Sequence, residues 1–312
     1  MGGIGVVLNP RARKNRHRAD EIGARIASAL GQDGLVRVTQ SLEAVGEAAL
    51  EFHERGIEIL AICGGDGTFH CTLTAFHAVY GTDALPALLP LRAGTINYLA
   101  DATGGWRGRP EHVVARVLRD QRRGRTHVTT ERDVLRVNGR ELGFVLGFGV
   151  PVNYLQAYYA LEAQGPGAAA RLLGRLMLSA LLGTHMARAV MQPIDADVEV
   201  DGDPVPFRRF RFFLAATVDR IALGFRPTYL GIRKRGYFHM IGGPASAPAL
   251  IGRIVRIYRG FPTNLPLLYD NLGRSMTIRF AQPTRYMLDG DVLEPSTTLT
   301  IDVPLRVRFI GA

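Results

Sequence analysis

Four short apolar runs, at residues 4–8, 35–38, 57–63 and 86–91, alternate with stretches in helical spacing, and that alternation leaves few folds open to the chain. After the first run Ile22, Ile26 and Leu30 recur at four-residue spacing. A helix is predicted over 42–55 after the second run, and another reaching Tyr80 after the third. Strand, helix and strand repeated in this way build a parallel sheet with helices on both faces.

The register changes after the helix that contains Val113 and Leu118, where the arginine-rich QRRGR forms a hinge. From Val128 onward the apolar runs are short and separated by turn dipeptides such as Asn138-Gly139 and Asp201-Gly202, a pattern of antiparallel strands. Strands are predicted at 133–137, 144–148, 198–200, 210–216, 237–241, 275–280 and 306–310, and helices at 155–160, 171–191 and 247–259. The expected architecture is an α/β domain over 1–127, with a parallel sheet, and a β-rich domain over 128–312. The final residues are expected to pack back on the first domain, and the active site to lie in the interdomain cleft.

Basic residues outnumber acidic ones by 38 to 28, and lysine occurs only at Lys14 and Lys234. Arginine forks onto phosphate whether it belongs to a nucleotide, a lipid headgroup or nucleic acid, so charge alone does not choose a partner. No nucleic-acid recognition motif accompanies the arginines, and nucleic acid is not an expected partner. Cys63 and Cys71 flank a glycine-rich turn and suit a reducing compartment better than a disulfide scaffold. The start of the chain lacks the features of a signal peptide, so a cytoplasmic protein is expected. The uncharged stretch 142–161 is long enough to span a bilayer, but its three glycines, Pro151, Asn153 and Gln156 make it a buried strand followed by a helix.

The strongest chemical signal is Gly64-Gly65-Asp66-Gly67-Thr68, between an apolar strand and a helix. Glycines let the backbone approach phosphate oxygens, while helix-start amides and the Thr68 hydroxyl can donate to them. Asp66 beside a triphosphate makes sense through Mg²⁺, since a bare carboxylate would repel it. The plainer reading is a tight structural turn. The motif is neither a Walker A loop nor a dinucleotide fingerprint. Gly94, Thr95 and Asn97 follow the next strand and would project from the same sheet edge, as would Arg11, Arg13 and Lys14 after the first strand. Asn97 and Thr95 could equally be helix caps, and the cations a solvated face. Far away, Asp289 and Asp291 straddle Gly290; one could take the proton of an attacking hydroxyl and the other hold metal, although Asp-Gly is also an ordinary hairpin turn.

Together these residues resemble the catalytic region shared by diacylglycerol, sphingosine and ceramide kinases and their bacterial soluble relatives. The likeness rests on Asn9-Pro10, a strand-ending Thr39, GGDGT at 64–68, GTIN at 94–97 and the late DG-acidic motif at 289–291, in matching order. It implies ATP binding by Asn9, Pro10, Arg11, Arg13 and Lys14, by Thr39, by 64–70 and by Thr95. It also implies Mg²⁺, with Asp66 and Asp291 as metal partners, and a base at Asp289 or Asp291, of which Asp289 is preferred. The implied fold is of the NAD kinase and phosphofructokinase kind in its first domain. The implied reaction is phosphorylation of a lipid hydroxyl in phospholipid biosynthesis, at an anionic membrane surface to which the protein binds peripherally.

Some positions depart from the pattern. Tyr98 stands where aspartate is common, His70-Cys71 where a polar Asn-Glu pair is frequent, and segment 227–237 lacks the Asp-Gly of a structural Mg²⁺ site, so no such ion is expected. Two further readings therefore accompany the first: a kinase of a soluble acceptor, as in NAD kinases, and a nucleotide- or lipid-binding regulator without turnover. Arg253, Arg256 and Arg259 at three-residue spacing suggest a helix that lies on anionic lipid, and the apolar segment 172–182 is a second candidate, with core packing as the alternative for each. Residues 207–211 are expected to form a strand with a basic outer face.

Overall fold

The computed structural model describes residues 3–311. The chain forms two compact units, Met1–Arg132 with Arg306–Ala312, and Asp133–Leu305.

In the first unit β1 (Ile4–Leu8), α1 (Ala19–Leu30), β2 (Gly34–Val38), α2 (Leu42–Glu54), β3 (Ile59–Gly64), α3 (Asp66–Tyr80), β4 (Ala87–Arg92), α4 (Tyr98–Ala102) and α5 (Pro110–Arg122) follow one another. The strands lie side by side as β2, β1, β3, β4, all parallel, which is the arrangement the alternation predicts. β1 and β3 are buried along their whole length, so they read as unbroken apolar runs rather than alternating ones. Gly5 packs beneath Phe52 of α2, where a Cβ would collide with the ring. The turn expected over 64–67 divides differently: Gly64 ends β3 and α3 begins at Asp66. The Thr68 hydroxyl accepts the Gly65 N–H at 3.3 Å, half of a capping box, and starts the helix within the glycine motif.

The remaining elements are β5 (Val128–Val137), β6 (Glu141–Gly143), β7 (Val145–Gly149), α6 (Val150–Tyr159), α7 (Pro166–Leu181), α8 (His185–Val190), β8 (Ile194–Val200), β9 (Asp203–Pro204), β10 (Arg209–Phe210), β11 (Phe212–Ala216), a 3-10 turn at Ala222–Gly224, β12 (Phe238–Gly243), α9 (Ala247–Ile251), α10 (Ile254–Arg259), β13 (Tyr269–Gly273), β14 (Ser275–Thr284), β15 (Met287–Leu288), β16 (Asp291–Val292) and β17 (Ser296–Gly311). In the second unit β10, β8, β14 and β17 make one sheet, and β13, β12, β11, β7, β15 and β16 another, with antiparallel neighbours. Phe148, Phe213 and Phe280 meet in their core, the first two stacked at 4.3 Å.

Several expectations are corrected. The strand predicted over 210–216 is two, because the chain changes sheets at Arg211: Phe210 pairs with β8 and Phe212 with β7. Gly149, at φ 71°, lets the Arg211 carbonyl approach where a Cβ would collide with it. Only Arg209 and Phe210 of 207–211 are strand, and Arg208 and Arg209 pair with Asp197 and Asp195. The helix predicted over 171–191 breaks at Gly183, φ 64°, into α7 and α8. That predicted over 247–259 is also two, and Arg253 precedes the six-residue α10. No residue of α9 or α10 is buried, so nothing on a packed face holds them as one longer helix. The strand predicted at 306–310 ends a 16-residue strand, with Phe309 opposite Leu88 in the first unit. Stretch 142–161 does become strand followed by helix, and among the described residues no helix is long and apolar enough to cross a membrane.

Candidate active site

In the first unit the carboxyl ends of β1, β3 and β4 carry three loops that are tied to one another. Asn9, just past β1, donates from Nδ2 to Thr68 Oγ1 at 2.9 Å, and its own Oδ1 accepts the Arg11 N–H at 2.8 Å. The Lys14 N–H donates to the Ala93 carbonyl at 3.0 Å, and Lys14 Nζ to the Arg92 carbonyl at 3.0 Å. Lys14 thus bridges loops in addition to offering charge, while Arg11 and Arg13 are exposed.

The two glycine motifs touch. Ala93 and Gly94 both donate to the Gly64 carbonyl, at 3.1 and 3.0 Å, and a Cβ on Gly94 would collide with the Gly65 Cα. A Cβ on Gly64 would collide with Thr68. These two glycines are therefore required by loop packing itself. Gly65 differs, since the added Cβ would meet only the Gly94 Cα, at 3.2 Å, and would otherwise occupy the open space above the loops. Asn97, left-handed at φ 53°, exchanges hydrogen bonds with Gly94, Oδ1 accepting its N–H and Nδ2 donating to its carbonyl, each at 2.9 Å. Thr95 is half-buried, as are Pro10 and Gly67.

Asp66 lies in the first turn of α3, and its carboxylate accepts the Tyr98 and Leu99 amides at 3.3 and 3.2 Å. It thereby holds the start of α4 against the glycine loop. Gly67 supplies one of the helix-start amides that have no acceptor within α3. Thr39 is buried past the end of β2, its N–H on the Leu8 carbonyl at 2.9 Å. His70 is buried, Cys71 half-buried, and Tyr98 is the buried first residue of α4.

Asn15 was not singled out by the sequence reading. It is 1% exposed, and its Nδ2 donates to the carbonyls of Asn9 at 2.8 Å and Cys63 at 3.0 Å, which latches the first loop to the end of β3. An asparagine within a basic run was the available signal. Burial pushes the adjacent Cys63 thiol up to about 12, so this cysteine is an inert core group. Asn15→Ala is expected to cost about 1–3 kcal/mol through the loss of these two buried hydrogen bonds, measured by urea unfolding.

The acidic motif belongs to the second unit. Asp289 is fully buried, and its Oδ1 accepts the amides of Phe144 and Val145 at 2.9 and 2.8 Å. Gly143 makes room: a Cβ there would lie 2.6 Å from Leu288 Cδ1 and 3.0 Å from Asp289 Oδ2. Asp291 is half-buried on the other side of Gly290. Asp289, preferred as base on the resemblance, therefore anchors the turn through backbone donors, and of the two carboxylates Asp291 is the more exposed.

Segment 227–237 is held without acidic residues of its own. The Tyr229 hydroxyl donates to Asp270 Oδ1 at 3.1 Å, beside the fully buried His239, whose Nε2 lies 2.7 Å from the same oxygen.

A phosphate ligand fits the first-unit loops on three observations: the space that a side chain at Gly65 would fill, the α3 amide terminus, and exposed cations. Mg²⁺ fits as an ion carried by phosphates, because it commonly takes one or two carboxylates and otherwise water and phosphate oxygens. Among the described residues no group of three or more His, Cys, Asp or Glu forms a dedicated metal cage.

Residues 3–129 match the family model of the diacylglycerol kinase catalytic domain. Two solved structures from Bacillus anthracis str. Sterne, both assigned as diacylglycerol kinases, are similar over almost the full chain. One gives a TM-score of 0.69 at 12% identity, covering 99% of this chain and 97% of that one. The other gives 0.64 at 14% identity with the same coverage. At these identities the likeness is one of fold. No curated protein matches the sequence.

Proposed function

We propose, from the match of residues 3–129 to the diacylglycerol kinase catalytic domain, that this chain transfers the γ-phosphate of ATP to a lipid hydroxyl. The observation that carries this reading is the mutual packing of the glycine loops at 64–65 and 93–94, which leaves open backbone where phosphates would lie.

In this reading Gly65, Gly67 and Thr68 hold phosphate oxygens at the start of α3, and Arg11 and Arg13 neutralise them. Asn9, Lys14 and Asn97 keep the loops in register. Asp66 is the residue that would hold Mg²⁺, which when bound neutralises charge on the triphosphate. Asp291 accepts the hydroxyl proton while the acceptor oxygen bonds to the γ-phosphorus and the bond to the β-bridging oxygen breaks, with ADP as leaving group. Most of the rate enhancement in such transfers comes from positioning and charge neutralisation. Tyr98 and His70 give no metal-linked carboxylate, so the metal role rests on Asp66.

Purified protein incubated with labelled ATP, Mg²⁺ and mixed micelles of diacylglycerol, sphingosine or ceramide is expected to yield labelled lipid. Asp66→Asn is expected to reduce this by more than about 100-fold, in line with loss of a metal-bound charge in phosphoryl transfer. Transfer that is independent of lipid and saturates with NAD or a sugar would replace the reading with a soluble-acceptor kinase. ATP binding without transfer to any acceptor would replace it with a regulator.

A further inference from the structure

Acidic residues are unevenly spread. No aspartate or glutamate occurs in residues 163–194 or in residues 220–269, although these stretches hold three and eight basic residues. With 38 basic and 28 acidic residues in all, the rest of the chain holds 27 and 28, so the whole positive excess belongs to these two stretches. Both lie in the second unit.

The helical parts of the two stretches adjoin one another, while β12 and segment 227–237, which carries Arg233, Lys234 and Arg235, lie outside this layer. α7 packs against α9 and against the 3-10 turn at Ala222–Gly224, and Tyr258 of α10 sits edge-on to Phe225, just past that turn, at 5.4 Å. α7 buries Ala168, Ala169, Leu172 and Leu176, so its opposite stripe presents Arg171 and Arg175 and then the leucines at its carboxyl end. Leu178, Leu181 and Leu182 are 58%, 63% and 69% exposed, and Val255, Tyr258 and Phe261 are all more than half exposed. Arg171, Arg175, Arg253 and Arg259 are exposed and make no ion pair among the described residues. Elsewhere in the same unit several exposed arginines find carboxylates, as Arg208 does with Asp197, Arg209 with Asp195 and Arg279 with Glu199.

Large apolar side chains facing solvent, unpaired arginines beside them and a complete lack of carboxylates suit one kind of partner. We propose that this α7 and α10 face docks the protein on an anionic lipid bilayer, the leucines and aromatics entering the headgroup boundary and the arginines meeting phosphate groups. An acid-free surface meets no like-charge repulsion from such a bilayer, and apolar insertion with basic flanks gives reversible attachment. The proposal rests on the lipid-kinase reading for the location of the acceptor, while its test measures attachment without turnover.

The test is flotation of the full chain with vesicles of phosphatidylcholine alone or mixed with phosphatidylglycerol, together with gel filtration of the free protein. Binding to the mixed vesicles, weakened by salt and absent with phosphatidylcholine alone, is the expected result. Arg253→Glu with Arg259→Glu is expected to weaken it by at least about 25-fold, at roughly fivefold per basic residue. Leu178→Glu with Leu182→Glu is expected to weaken it by more than about tenfold. These are surface changes, and an unchanged melting temperature shows that each variant is folded. Phosphorylation of a short-chain, monomerically dissolved diacylglycerol is expected to be the same in wild type and variants. Binding that is indifferent to both pairs overturns the proposal, as does a leucine variant that converts a dimer into a monomer, which would assign the face to a second copy of the chain. Vesicle binding in a protein with no kinase activity would leave the docking face standing and defeat only the lipid-kinase reading.

Discussion

Asp291→Asn is expected to lower lipid phosphorylation by more than about 100-fold, the usual scale for a lost general base. Asp289→Ala is expected to do something different, costing about 2–4 kcal/mol of stability through two buried amides left unpaired. The contrast follows from position. Asp289 lies at φ 49° in the turn with its carboxylate on the Phe144 and Val145 amides, while Asp291 is half-exposed in β16, beyond Gly290. Unfolding curves and the micelle assay on both variants separate anchoring from proton transfer. Full activity in Asp291→Asn would remove that residue from the mechanism. An Asp289→Asn variant as stable as wild type but inactive would return the base to Asp289.

Gly94→Ala is expected to abolish measurable ATP binding and to destabilise the first unit by about 1–3 kcal/mol, the range for overpacking. The added methyl would collide with the Gly65 Cα, so both glycine loops must shift, along with the Gly94 hydrogen bonds to Gly64 and Asn97. Gly65→Ala is the informative partner, because its methyl meets only Gly94 and projects into the space assigned to phosphate. It should leave the melting temperature nearly unchanged while weakening ATP in isothermal titration by at least about tenfold, or ~1.4 kcal/mol, for a lost close contact with phosphate. If Gly65→Ala binds ATP normally, the nucleotide does not sit there.

The parallel sheet of the first unit was legible because both faces of its strands are buried, and burial on both sides forces long apolar runs between amphipathic helices. The glycine motifs and their position after β3 and β4 were legible for a related reason: chain order in a parallel sheet puts successive strand ends on one edge. Helix length in the second unit was not. Short-range spacing around Arg253, Arg256 and Arg259 resembles one helix, yet α9 and α10 bury nothing that would hold them together.

Residue types and their order determined by themselves the strand-helix alternation, the loops that carry the phosphate-compatible groups, and the confinement of positive excess to two acid-free stretches. Tertiary structure alone decided that Asn15 is a buried latch, that Gly64 and Gly94 serve each other, and that Asp289 is enclosed where Asp291 is accessible. Those distinctions depend on which backbone atoms approach from strands many residues away. Local sequence spacing carries no record of such approaches, because a hydrogen bond between Asp289 and Phe144 is made by the fold and not by either neighbourhood.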